Sequence, residues 1–205
     1  MDDKQHWDAV YRKKALDEVS WYRPHLERSL GFIEDANLPR NAAIIDVGSG
    51  ASTLVDDLLE RGYSNLTVLD ISPKAIASAK ERLGSRGAAV TWVEADITEV
   101  DLPEHQFDFW HDRAVFHFLL DPAARHRYVA AARRALKPGG HIAVATFGPS
   151  GPERCSGLEV MRYRPEEIHA EFGDSFQKVG SSSEIHKTPW GQEQEFVYCY
   201  CRLPA

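Results

Sequence analysis

From residue 42 onward the apolar positions fall into short runs separated by longer segments with helical spacing. AAIIDVGS over 42–49 predicts a strand and a turn, STLVDDLLERG over 52–62 a helix closed by Gly62, and NLTVLDIS over 65–72 a second strand. A helix over 73–84 follows, opened by Pro73 and ended by Gly84. Strands are then predicted over 89–97 and 106–112, a helix over 122–136 and another strand over 141–148. This alternation implies a parallel sheet with helices on both faces.

Both flanks break the pattern. Residues 5–35 form an aromatic-rich helical arm carrying Trp7, Tyr11, Trp21 and Tyr22. After Gly148, PSGPERCSG has loop chemistry, and YRPEEIHAEFG is a short helix opened by Pro165. FQKVGSSSEIHK and EQEFVYCYCRL then read as two strands around a TPWGQ turn, closing the sheet with an antiparallel edge hairpin. The expected fold is α/β and doubly wound, with a mostly parallel seven-stranded sheet in one domain over 1–205. That domain divides into an arm or lid (1–40), a ligand-binding core (41–147) and an acceptor-side loop with closing strands (148–205).

Composition narrows the function classes. With 43% hydrophobic and 27% charged residues, 205 residues suffice for one buried core. A net charge of -7 argues against general binding to a phosphate backbone, so nucleic acid is not an expected partner. No apolar run reaches the roughly 18 residues of a membrane span, and MDDKQHWDAV lacks a signal-peptide core; a cytoplasmic protein is expected. The three cysteines are too few for a disulfide framework. Cys199 and Cys201 are expected on opposite faces of their strand, and their spacing lacks the further ligands of a metal site.

The chemistry begins at IIDVGSGAS, where a strand runs into Gly48 and Gly50 just before a helix. Glycines permit a tight turn and close ligand approach, and a helix start offers unpaired N–H groups to an anion. Thr53 replaces the third glycine of the dinucleotide fingerprint, which disfavours a pyrophosphate ligand. Asp46, Asp70 and Asp96 each end a strand, where doubly wound folds bind ligands.

Through D-V-G-S-G at 46–50, L-D-I-S at 69–72, E-A-D-I at 94–97 and L-K-P-G-G-H-I at 136–142, the chain resembles class I S-adenosylmethionine-dependent methyltransferases. The resemblance covers roughly 43–147 and implies a Rossmann-like fold with S-adenosylmethionine as cofactor and S-adenosylhomocysteine as product. It implies that Gly48, Ser49 and Gly50 hold the methionine end, with Asp46 there to bind it or to brace the loop. Asp70 takes the ribose, Ile71 packs on the adenine, and Asp96 with Ile97 reads the adenine edge. Ser52 stands where many members carry a third glycine, and as a small residue it can cap the helix.

In FWHDRAVFHFLLD the segment His111-Asp112-Arg113 ends the fourth strand, which in that family borders the transferable methyl group. His111, Asp112 and Arg113 are expected at the reactive end of the cofactor, Asp112 and Arg113 partly neutralising each other, with Asp112 or His117 available as a base for an amine or hydroxyl acceptor. Trp7 and Tyr11 are expected over the cofactor, and Trp21, Tyr22, Arg113 and Arg162 against the acceptor, the aromatic rings excluding water. Cys155, in the loop after the fifth strand, is a candidate for holding a soft substrate.

Two branches compete over the acceptor. W-x-x-x-Y at 7–11 and W-Y at 21–22 are similar to protein-lysine methyltransferases, which implies a protein partner. W-H-D-R-A-V at 110–115 and the course from G-P-S-G-P at 148–152 to R-Y-R-P-E-E-I at 162–168 are closer to thiopurine and related thiol methyltransferases. The favoured expectation is a small soft acceptor, with protein lysine as the alternative and a non-catalytic cofactor-binding protein as a remote third; oligomeric state is not legible.

Overall fold

The computed structural model describes residues 3–13, 15–50 and 52–205. Two helices lead, α1 (Asp3–Lys13) and α2 (Glu27–Asp35), followed by β1 (Ala43–Val47), α3 (Leu54–Glu60), β2 (Asn65–Asp70), α4 (Pro73–Leu83), β3 (Val90–Glu94) and β4 (Phe107–Arg113). Then come α5 (Pro122–Ala135), β5 (Leu136–Phe147), β6 (Arg154–Cys155), β7 (Leu158–Glu159), α6 (Pro165–Phe172), β8 (Gln177–Lys187) and β9 (Glu193–Arg202). Seven strands make one sheet in the order β3-β2-β1-β4-β5-β9-β8. Strands β1 to β5 pair in parallel, and β9 runs antiparallel to both neighbours. The fold is the expected Rossmann-like one.

Alternation along the strands splits the core into two layers. Ile45 and Trp110 pack with Tyr128 of α5 and Ile168 of α6, while Ile44 and Phe109 face Ile33 of α2 and Leu58 of α3. Strands buried on both sides explain the near-continuous apolar run of β1. No helix among the described residues is long and apolar enough to cross a membrane.

Several local expectations change. The arm is not one continuous helix: residues 19–26 between α1 and α2 are non-helical, and they carry Trp21, Tyr22 and Pro24, whose ring cannot continue a helix. Strand pairing in β5 starts at Leu136 rather than His141, accommodated by a register break between Phe107 and Phe109. Within the PSGPERCSG loop, β6 and β7 form a short hairpin. Its turn residues Ser156 and Gly157 both have positive φ, as a tight two-residue connection requires. Cys199 and Cys201 share one face, with sulfurs 3.4 Å apart, because residues two apart on a strand point the same way.

Candidate functional site

The carboxyl ends of β1, β2 and β4 open into a cavity of about 480 Å³, roofed by α1 and residues 21–23. Trp7 meets Trp21 and Phe118 edge-on at centroid distances of 5.8 and 5.0 Å, and Tyr11 meets Trp21 at 6.2 Å. Trp7, Tyr11, Trp21 and Tyr22 all line the cavity. Asp8 fastens the arm, accepting hydrogen bonds from the Ser72 hydroxyl (2.6 Å) and the Lys74 amide (3.3 Å) at the start of α4.

On the floor, Gly48 and Gly50 have φ of +62° and +48°. A Cβ on Gly48 would lie 1.9 Å from a Val115 methyl, and one on Gly50 2.1 Å from the Tyr11 hydroxyl, so φ favours glycine at both and a side chain at either would displace Val115 or Tyr11. Gly48 and Ser49 line the cavity, while Gly50 sits behind it and donates its N–H to Asp70 Oδ2 (2.8 Å). α3 starts only at Leu54, so the loop itself, rather than the helix end, forms this wall. Ser52 contributes to the start of α3 as expected, its hydroxyl accepting the Leu54 N–H (3.1 Å).

Asp70 lines the cavity and also accepts the Ser72 N–H (2.8 Å). Burial pushes its carboxyl up to about 6 against the pull of the Ser72 and Gly50 hydrogen bonds. Ile71 and Ile97 flank it, and Asp96 is held by the Thr98 amide (2.7 Å) and hydroxyl (2.8 Å) in a local turn. Asp46 also lines the cavity; Oδ1 lies 2.7 Å from His111 Nδ1, and Oδ2 is buried without a hydrogen-bond partner among the described residues.

The charged cluster is divided by the sheet. His111 and Arg113 line the cavity on the α2 side, whereas Asp112 faces α5 and does not line it. Asp112 accepts hydrogen bonds from the Val115 and Phe116 amides (2.9 and 3.1 Å) and the Tyr128 hydroxyl (2.6 Å), and burial raises its carboxyl to about 6. The expected mutual neutralisation of Asp112 and Arg113 is therefore not found, because adjacent strand residues point to opposite faces. Arg113 instead donates to the Trp21 carbonyl (3.1 Å) and Tyr198 hydroxyl (3.3 Å), lies 3.6 Å from Glu184 and stacks 4.1 Å over Phe196.

Two other expected residues lie off the cavity. His117 is wholly buried, its Nδ1 accepts the Phe147 N–H (3.3 Å), and burial lowers its ring to about 3 with help from the Arg113 charge. A ring so reluctant to be protonated, and so placed, is not a base for a ligand in the cavity. Arg162 bonds the Pro149 and Gly151 carbonyls and Glu153, bracing the loop rather than facing the acceptor. Cys155 does line the cavity, brought there by β6. Sequence reasoning placed His111 only as part of the cluster with Asp112 and Arg113 and gave no role to Arg23 or Phe118, and all three line the cavity; strand periodicity paired His111 with Arg113, but nothing local marked their face.

The donor set suits a zwitterionic sulfonium cofactor. A buried carboxylate oxygen without a partner calls for a cation, and Asp46 offers it beside a loop too close for side chains. A family model described as a methyltransferase domain matches residues 44–140. EEF1A lysine methyltransferase 2 of Danio rerio is 25% identical over 180 residues, covering 79% of this chain and 77% of the relative. A malonyl-[acyl-carrier protein] O-methyltransferase of Paenibacillus sp. is 28% identical over 166 residues, covering 78% of this chain and 56% of the relative. The N-methyltransferase NodS of Bradyrhizobium japonicum, solved with S-adenosylhomocysteine, superposes with a TM-score of 0.71 at 16% identity over 98% of this chain and all of the other. The family model lies over the strands and loops that build the cavity, so residues 44–140 match a methyltransferase domain, and the chain is similar to S-adenosylmethionine-dependent methyltransferases in sequence and fold.

Proposed function

We propose that the chain methylates a small soft nucleophile, a thiol, chalcogen or metalloid, that enters the cavity between the aromatic arm and the end of β4. The observation that carries this reading is that neither base expected near the methyl group is available: Asp112 is bound by three donors on the far side of the sheet, and His117 is buried away from the cavity. A lysine ammonium must lose its proton before it can attack, whereas a thiol with an ordinary pKa of about 8.5 is already partly ionised near neutrality. Bound S-adenosylmethionine supplies an electrophilic methyl group. The chain's own residues position and enclose: Gly48, Ser49 and Asp46 at the methionine end, Asp70 at the ribose, Ile71, Asp96 and Ile97 at the adenine, and Trp7 and Tyr11 above, excluding water. Within the arm over 1–40, α1 and residues 21–23 then act as lid while α2 braces the floor, with 41–147 as cofactor core and 148–205 as acceptor side.

Protein lysine remains the second reading. The Danio rerio relative favours it. So do the cavity rings of Trp7, Tyr11, Trp21 and Phe118, which can hold a cation, and the lining carboxylates Asp3, Glu99 and Asp121.

The deciding experiment measures S-adenosylhomocysteine release with thiols, selenide, arsenite, amines and extract proteins. Turnover with a thiol, selenium or arsenic acceptor supports the first reading; labelling of protein lysine with none from the small acceptors overturns it. In the same assay Cys155→Ser should cut turnover with soft acceptors strongly at unchanged cofactor affinity if Cys155 holds the acceptor, and a silent variant removes that role.

Lid function has its own expected result. Trp7→Ala should raise the acceptor KM and lower kcat/KM about tenfold, close to 1.4 kcal/mol. The melting temperature of the cofactor-free protein should move by only about 3 °C. Full activity in Trp7→Ala rejects the lid.

A further inference from the structure

Behind the cavity floor, three polar side chains from distant segments form one hydrogen-bonded line. Ser29 of α2 places its hydroxyl 2.8 Å from His111 Nε2, and His111 Nδ1 lies 2.7 Å from Asp46 Oδ1. Their exposures are 0%, 1% and 4%. His111 and Asp46 are register partners on adjacent strands, and both line the cavity. Ser29 does not, so this is no nucleophilic triad despite its composition.

A carboxylate can only accept hydrogen bonds, which puts the proton on His111 Nδ1 and lets the Ser29 hydroxyl donate to Nε2. The line therefore has a direction: Ser29 fixes the ring, and the ring holds Oδ1 of Asp46. Oδ2 is left buried and without a partner among the described residues. An anionic oxygen in that position loses water without gaining a donor unless the ligand brings one.

We propose that His111 and Ser29 are positioning residues that hold the Asp46 carboxylate with one oxygen occupied and the other offered to the α-ammonium group of the cofactor, so that this line sets how tightly the amino-acid half is held. The proposal rests on the cofactor lying in this cavity. A carboxylate fixed before binding has no reorganisation left to make when the cation arrives, and a freely rotating one does.

Calorimetry on the full chain tests this with two ligands, S-adenosylhomocysteine and its analogue lacking the α-amino group. The wild type should prefer the amine-bearing ligand by about tenfold or more. His111→Phe should weaken S-adenosylhomocysteine about tenfold and the deaminated analogue less than about twofold, so that the preference collapses. His111→Asn, whose amide can donate where Nδ1 did, should restore most of the preference. Equal losses for both ligands in His111→Phe, or a His111→Asn no better than His111→Phe, overturn the proposal in favour of plain bracing between α2 and the sheet. Should His111→Phe not fold, Ser29→Ala and His111→Asn decide: a reduced preference in the first and a retained one in the second support the line, and an undiminished preference in Ser29→Ala overturns it. A wild type that binds neither ligand removes the cofactor reading itself, and one that binds both equally removes only the Asp46 contact; in either case the proposal falls.

Discussion

Asp70→Ala is expected to weaken S-adenosylhomocysteine binding by roughly 2 to 4 kcal/mol, about thirtyfold to nearly a thousandfold, in a calorimetric titration. The carboxylate sits on the cavity wall at the end of β2, where it can accept from both ribose hydroxyls. It also receives the Gly50 and Ser72 amides, so the variant slackens the glycine loop as well as removing the proposed ribose contact. Unchanged affinity in a folded Asp70→Ala protein would remove Asp70 from the cofactor site.

The same residue carries a pH signature. Its folded pKa is near 6 against an ordinary 3.8, with burial as the leading cause. The neutral form is thus favoured in the fold, and the stability this group contributes is fully present below 3.8 and lost as pH rises through 6. Cofactor binding should run the other way, weakening as pH falls below 6 and the carboxyl takes up a proton. A titration of affinity from pH 5 to 8 in wild type and Asp70→Asn checks this, because the variant should lose the step.

Asp112→Ala is expected to cost roughly 3 to 5 kcal/mol of folding stability, lowering the melting temperature by about 10 °C. Among the described residues, this carboxylate is the acceptor for the Val115 and Phe116 amides and for the Tyr128 hydroxyl, between β4 and α5. Removing it leaves three donors without partners, which is costlier than the loss of one exposed ion pair. Asp112→Asn keeps an acceptor oxygen and should fall between the two. A catalytic Asp112 predicts the opposite pattern, intact stability with turnover lost, and denaturant unfolding beside single-turnover rates separates them.

Much of this molecule was legible in one dimension. The alternation of short apolar runs with helical segments determines the parallel strands β1 to β5, since a crossover of that length returns a strand parallel to its predecessor. Gly48 and Gly50 betray their loop because a side chain there would be strained by the positive φ and would crowd Val115 and Tyr11. Asp46, Asp70 and Asp96 could be placed at the ligand end because the parallel strands β1 to β5 all finish on that side.

What the sequence could not decide is which layer a side chain meets and what waits there. A period of two separates Asp112 from His111 and Arg113, but only the packing of α5 and α2 makes one a core brace and the others cavity walls. The partners are remote in the chain: Ser29 reaches His111 from α2, and Glu184 reaches Arg113 from β8. Arg162 looked free for an acceptor until the loop carbonyls of Pro149 and Gly151 folded back onto it. Local pattern records each residue's propensity and periodicity, whereas hydrogen-bond partners across such separations exist only after the sheet has closed and brought its layers together.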